Sequence, residues 1–263
     1  MQATYKQTAI IAAKAAGKIQ LKYFGKGIQK NRKQDDSFVT KADKESSKII
    51  SKIILKEFPT HNILDEELGK LTNKSDYTWI IDPLDGTHNF IMDNPLFGVS
   101  IALEYKKEII MGVIYMPVLK RLYCSEKGKG AFCNNKRIRV SDETSIKKCM
   151  FIFDAKLRCK TNLKINLLKK LAPISWRFRV YGAAVYHNLV VAEGHAGFNI
   201  DFNSNPWDHS AALLMVEEAG GKVTDLKGKK WHPYIKDYVA SNGKVHSQLL
   251  KVLNTANTTN SKR

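Results

Sequence analysis

The sequence predicts an α+β protein. Three observations carry this reading. Apolar residues recur at helical spacing up to Phe58, the period changes to that of strands from Ile63 to Phe132, and strand-like and helix-like runs alternate from Cys149 onward. With 263 residues and 43% hydrophobic content, the chain can bury a sizeable core as one large domain or two sub-domains.

The elements follow in order. Thr4 to Phe24 reads as a helix, with Ala9, Ala12, Ala13, Ala16 and Ile19 on one face and Gly25 and Gly27 ending it. Lys26 to Asp36 is polar and charged and reads as a mobile loop. Asp43 to Phe58 reads as a second helix with Ile49, Ile50, Ile53 and Ile54 inward and Pro59 just beyond its end. Strands are expected at Ile63–Leu64, Thr78–Ile81, Gly98–Leu103, Glu108–Tyr115, Arg121–Ser125 and Ala131–Phe132, with hairpin turns at Tyr105–Lys107 and Asn134–Asn135. In the second half, Met150–Phe153, Ser175–Arg179, Phe198–Asp201 and Val223–Thr224 read as strands. Leu163–Leu171, Ala183–Glu193 and Asp208–Ala219 read as helices. The halves are about 1–140 (α+β) and 141–253 (α/β). No low-complexity linker parts them, so they are expected to pack as one body. The polar tail 254–263 is expected to be disordered.

Composition narrows the function. No apolar run approaches the ~20 residues of a membrane span. Lys14 and Lys18 interrupt the only N-terminal stretch that could imitate a signal peptide, so a cytoplasmic protein with no membrane partner is expected. The four cysteines, Cys124, Cys133, Cys149 and Cys159, form no C-x-x-C pair or zinc spacing and read as reduced thiols. The net charge is +18, but only eight of the 43 basic residues are arginines and the lysines are scattered. That favours a solvated basic surface attracting anions over a dedicated nucleic-acid site.

The chemistry concentrates in Trp79-Ile-Ile-Asp-Pro-Leu-Asp-Gly-Thr-His-Asn-Phe90. Asp82 and Asp85 stand three residues apart across Pro83 at the end of an apolar strand, followed by Gly86 and Thr87. Carboxylates at a strand end beside backbone N–H groups suit a hard divalent cation that holds a phosphate. Pro83 fixes φ and helps the chain turn, and Gly86 lets the backbone approach a phosphate closely. Asp208, ahead of a helical face made by Ala212, Met215, Val216 and Ala219, reads equally as a helix cap.

This run resembles the signature of the inositol monophosphatase family. Asp65-Glu66-Glu67-Leu68-Gly69 upstream, and Pro206-Trp207-Asp208-His209-Ser210-Ala211-Ala212 with Glu218-Ala219-Gly220-Gly221 downstream, resemble two more of its motifs in the right order. The resemblance spans about 4–253. It implies a layered α/β/α/β/α sandwich of the inositol monophosphatase and fructose-bisphosphatase type, a metal-binding first half and a substrate-pocket second half. It also implies a cytoplasmic homodimer sensitive to lithium, whose activity is Mg²⁺-dependent hydrolysis of inositol 1-phosphate or a related sugar or polyol phosphate by metal-activated water.

The site residues it implies are specific. Glu66, Asp82 and the Leu84 carbonyl would hold one Mg²⁺. Asp82, Asp85 and Asp208 would hold a second, and a weaker third ion would sit near Glu66. Gly86 and Thr87 would bind phosphate. Glu66 and the Thr87 hydroxyl would orient the attacking water, with Asp43 holding Thr87. Asp85, Gly182, Ala183, Ala184 and Asp201 would meet the substrate, with Arg179, Lys30, Lys33 and Asp36 at the pocket mouth. Three departures stand out: Asp201 is shorter than the usual glutamate, Phe202–Asn205 lacks the usual glycine turn, and Asp65 replaces a common glycine. His88 reads as a bystander, and His187, His195 and His209 follow no ligand spacing.

Related proteins take fructose 1,6-bisphosphate, 3′-phosphoadenosine 5′-phosphate, NADP or histidinol phosphate on one scaffold, and these remain alternatives. The segment Asn94–Ala102 looks more like the inositol-phosphatase branch. A different class is an RNA-binding module, since bacterial relatives join ribosomal-RNA transcription complexes.

Overall fold

The computed structural model describes residues 4–27, 30–32, 38–154, 156 and 158–257. The chain begins with α1 (Tyr5–Tyr23), the hairpin β1 (Lys30–Arg32) and β2 (Phe38–Thr40), and α2 (Lys41–Glu57). Next come β3 (Asn62–Asp65), β4 (Gly69–Leu71), β5 (Tyr77–Asp85) and the short α3 (Thr87–Ile91). A meander follows through β6 (Gly98–Tyr105), β7 (Glu108–Met116), β8 (Arg121–Glu126), β9 (Gly130–Cys133) and β10 (Lys136–Arg137). The rest is β11 (Met150–Phe153), α4 (Thr161–Leu171), β12 (Arg177–Arg179), α5 (Ala184–Ala192), β13 (Phe198–Asp201), α6 (Pro206–Glu218), β14 (Lys222–Thr224), β15 (Tyr238–Ser241) and α7 (His246–Asn257).

Two sheets organise these elements. One has eight strands in the order β10-β9-β8-β7-β6-β5-β3-β4, the other five in the order β12-β11-β13-β15-β14. The first face of the large sheet is covered by α1 and α2, whose Ala9, Ala12, Ala16, Ile50 and Ile54 pack on Trp79, Ile81, Val99 and Ile101. Alternation along β5 sends Ile80 to the opposite face, where it joins Val185 and Leu189 of α5 and Leu213 and Val216 of α6. The same α5–α6 layer meets the small sheet through Ile152, Val223 and Ala240. Outside that sheet, Leu167 and Leu171 of α4 and Leu249 and Leu253 of α7 pack on Phe151, Phe153 and Phe198. The result is the α/β/α/β/α layering, with both sheets bound into one body by α5 and α6.

Several expectations need adjusting. Part of the supposed loop Lys26–Asp36 is strand: Lys30–Arg32 pairs antiparallel with Phe38–Thr40. Lys33 and Asp36 lie outside the described residues. The strand expected at Ser175–Arg179 starts at Arg177, and α7 carries ordered helix through Asn257, into the tail expected to be disordered. Asn134 and Asn135 both take positive φ, 47° and 65°, as the two-residue β9–β10 turn requires.

Candidate active site

The site lies where β3 and β5 end side by side. These strands are parallel, with Asp65 opposite Ile81, so Glu66 leaves β3 beside Asp82, and its N–H donates to the Ile81 carbonyl at 3.1 Å. In a regular strand Asp82 and Asp85 would face opposite sides of the sheet. They do not, because the β5–β6 register slips: Asp82 pairs with Ser100 and Asp85 with Gly98. The extra residue is a bulge at Pro83–Leu84 that turns both carboxylates to one side. Gln20, fully buried on α1, donates to the Pro83 carbonyl at 2.7 Å and holds this bulge against the helix layer.

Each carboxylate is anchored by backbone donors. Asp82 Oδ1 accepts from the Leu84 N–H at 2.9 Å. Asp85 accepts from the first two amides of α5, Ala184 at 3.0 Å and Val185 at 3.1 Å. Asp208 Oδ2 accepts from the Asn205 N–H at 2.8 Å, so its capping role and its place in the cluster coexist. Thr87 Oγ1 lies 3.1 Å from both Asp43 Oδ1 and the Leu84 carbonyl. Asp43 Oδ2 in turn accepts from the N–H and hydroxyl of Thr40, at 2.8 and 2.5 Å, which locks the start of α2. Gly86 has φ of 83°, and a Cβ there would meet the Leu96 carbonyl at 2.9 Å and Ala183 Cβ at 3.0 Å. Only glycine fits that close, left-handed position.

Electrostatics bind these residues into one group. Burial, then repulsion from Glu66, Asp85 and Asp208, pushes the Asp82 carboxyl well above the usual carboxylate range. Burial, then Asp208, raises Asp85 to about 8. Burial raises Asp208 to about 6, against the opposing pull of Lys156. Asp43 also rises to about 6 through burial, despite its Thr40 hydrogen bonds. Among the described residues no three His, Cys, Asp or Glu side chains are closed onto one point as a finished cage. The donor set is nonetheless all oxygen, backbone-anchored on one side and mutually repelling on the other, and this charge excess fits a hard divalent cation.

The residues expected to meet the substrate lie at the start of α5 and at the end of β13. Gly182 is exposed with φ of 75°, Ala183 is buried, and the Ala184 N–H is committed to Asp85. Asp201 is buried at the end of β13, where it accepts from the Phe202 N–H at 2.8 Å and lies 3.4 Å from the Tyr238 hydroxyl. Burial, then the charges of Asp154 and Asp208, raises it to about 7. Arg179 is exposed on β12. His88 is exposed and packs on Phe38, while His209 is buried between Ser204 and the Pro233 carbonyl. Glu218 has a structural role: its two oxygens accept the Gly128 and Gly130 N–H groups, at 2.7 and 2.6 Å, and pin the β8–β9 turn.

Sequence reasoning missed the residues that brace the site. Asn89 donates to the Leu96 carbonyl at 2.8 Å and the Tyr181 carbonyl at 2.7 Å, tying α3 to the segment before Gly182. Gln20 is 63 residues from its partner. The only available signal for either was a polar residue on an otherwise apolar face.

The inositol monophosphatase family model matches residues 1–258. The chain is 37% identical over 252 residues to a fructose-1,6-bisphosphatase/inositol-1-monophosphatase of Aquifex aeolicus, covering 94% of each. It is 35% identical over 249 residues to the Escherichia coli Nus factor SuhB, covering 92% of each. Among solved structures, the Thermotoga maritima IMPase superposes with a TM-score of 0.87 at 33% identity, over 95% of this chain and 96% of that one. The bulged Asp82–Asp85 strand end, the Thr87 hydroxyl held by Asp43 and this whole-chain similarity lead to one assignment: the chain belongs to the inositol monophosphatase family, a family of phosphatases.

Proposed function

We propose that this protein is a Mg²⁺-dependent phosphomonoesterase acting on inositol 1-phosphate or a related small sugar or polyol phosphate. The observation that carries the reading is the strand-end geometry that sets Glu66 beside Asp82 and turns Asp82 and Asp85 to one side of the sheet, with Asp208 among the charges that repel them. Glu66, Asp82 and the Leu84 carbonyl would hold one ion, Asp82, Asp85 and Asp208 a second, with a third near Glu66. Bound Mg²⁺ would supply charge neutralisation of the phosphate and acidification of water.

The chain's own residues do the rest. Amides of Gly86 and Thr87 offer donors to phosphate oxygens. Thr87, held by Asp43, and Glu66 orient the water for in-line attack. Asp201 and the Gly182–Ala184 segment border the alcohol side. Uncatalysed monoester hydrolysis is among the slowest known reactions, so charge neutralisation and water orientation must act together.

The test is phosphate release with Mg²⁺ from inositol 1-phosphate, fructose 1,6-bisphosphate, 3′-phosphoadenosine 5′-phosphate, NADP and histidinol phosphate, alongside Asp85→Asn. A preference lost in that variant supports the reading. No turnover by folded protein on any of the five sinks it. Inhibition by Li⁺ and a homodimer belong to the same proposal.

A second reading, contact with RNA in a transcription complex, is favoured by the similarity to a Nus factor and by β12. That edge strand exposes Arg177 and Arg179 beside Trp176 and Phe178. It expects salt-dependent RNA binding that survives Asp85→Asn.

A further inference from the structure

Asp65 closes β3 and is 1% exposed. The β3–β4 ladder runs from Ile63–Leu71 to Asp65–Gly69, so residues 66–68 form the turn between the two strands. Asp65 accepts from two of the turn's three amides. Its Oδ1 accepts from the N–H of Glu67 at 2.8 Å and of Leu68 at 2.9 Å. Its Oδ2 accepts from the Ser47 hydroxyl at 2.6 Å, and Ser47 is fully buried on α2. A single carboxylate therefore shapes the turn that presents Glu66 and fastens it to the helix layer.

Ser47 lies one helical turn beyond Asp43, so both project from the same face of α2. Asp43 holds Thr87 at 3.1 Å. Two separate arms of the site, the Glu66 turn and the Thr87 helix start, thus hang from one helical turn, itself fixed by the Thr40 cap.

We infer that Asp65 is a positioning residue that acts through Glu66, and that Asp43 and Ser47 make the first turns of α2 the common mount of Glu66 and Thr87. The inference rests on the phosphatase reading, in which Glu66 and Thr87 orient one water. Their separation must then be held to a fraction of an ångström, and a misplacement near 1 Å costs about 10²-fold in rate. A glycine at 65 would leave two turn amides and a buried hydroxyl without this acceptor.

Asp65→Gly, Asp65→Asn and Ser47→Ala test it, with Glu66→Gln as reference. Asp65→Gly is expected to lower kcat about 10- to 100-fold with substrate KM nearly unchanged, and to weaken Mg²⁺ binding about tenfold by calorimetry. In metal-free protein, its amides at 67 and 68 are expected to exchange hydrogen about tenfold faster. Asp65→Asn keeps an acceptor for those amides and is expected to restore most of kcat. Folded Asp65→Gly with wild-type kcat overturns the inference, even if its exchange quickens, because the turn would then be structural alone. If Asp65→Gly does not fold, Ser47→Ala decides: a kcat and Mg²⁺ affinity equal to wild type overturns the common mount. If Glu66→Gln is unimpaired in an active enzyme, Asp65 has no group to act through and the inference falls; if the wild type hydrolyses none of the five phosphates, the phosphatase reading fails. The calorimetry then judges Asp65 separately, and unweakened Mg²⁺ binding sinks its role.

Discussion

At the scale of single residues, the site is a balance between backbone donors and carboxylate repulsion. Asp85 accepts two α5 amides while facing Asp208. Asp85→Asn removes one repelling charge and one proposed metal ligand together. It is expected to lower kcat by at least about 10²-fold. It should also diminish the stabilisation expected from Mg²⁺, about 2.7 kcal/mol per site at a hundredfold excess over Kd. Thermal unfolding with Mg²⁺ and with a chelator measures this, and an undiminished Mg²⁺ response in the variant would remove Asp85 from the ligand set. Thr87 gives a finer test. Thr87→Val deletes the hydroxyl shared by Asp43 and Leu84 and is expected to lower kcat about 10- to 100-fold, while Thr87→Ser keeps it and most activity. The contiguous motif made Asp82, Asp85 and Thr87 legible in sequence. The anchors of these residues were not, because Gln20 and Asn89 reach their partners only through the tertiary fold.

At the scale of elements, the sequence revealed most helices and strands, β6, α5 and α6 among them although almost all their residues are buried, and missed α7 and β15. α1 and α2 alternate apolar and charged positions, and both were legible. β15 was not: all four residues, Tyr238 to Ser241, are buried at the middle of a sheet, so no alternation marks them. The β1–β2 pairing escaped for a different reason, since Asn31 and Arg32 are exposed polar residues with no apolar face that a sequence could announce. The junction of β11 and α4 shows how buried charge can set an element's position. Lys164, fully buried on α4, donates to Asp154 at the end of β11 and to the Lys156 carbonyl, while Asp154 also accepts the Lys156 N–H at 2.7 Å. Removing one partner strands a buried charge. Lys164→Met is therefore expected to cost about 3–5 kcal/mol in urea unfolding. The paired Lys164→Met/Asp154→Leu change is expected to recover much of that loss, and equal losses in both would show that the pair is not coupled.

At the scale of the whole molecule, two sets of buried groups respond to pH in opposite senses. His187 is buried, with Nε2 accepting the Tyr181 N–H at 3.0 Å, and burial lowers it to about 4. His246, held between Ser241 and Thr224, is also lowered to about 4, chiefly by burial. Below the ordinary histidine value of about 6.5 the unfolded chain takes up protons that the folded chain refuses. Their contribution to stability is thus complete above about 6.5 and is lost as pH falls toward 4. The acids act the other way. With Asp85 raised to about 8, Asp201 to about 7 and Asp43 to about 6, the folded chain holds protons that the unfolded chain has released above about 3.9. Their penalty is absent at low pH and grows until each folded value is passed. A divalent cation bound by the ionised carboxylates offsets that penalty but leaves the histidines untouched. The Mg²⁺-induced rise in Tm is therefore expected to be larger at pH 8 than at pH 5. In saturating Mg²⁺, Tm should fall from pH 7 to pH 4.5, and His187→Gln should flatten that fall. Thermal scans of wild type and His187→Gln across this range, with Mg²⁺ and with chelator, make the check. A Mg²⁺ gain that does not grow with pH would mean that the ionised cluster is not where the ion binds.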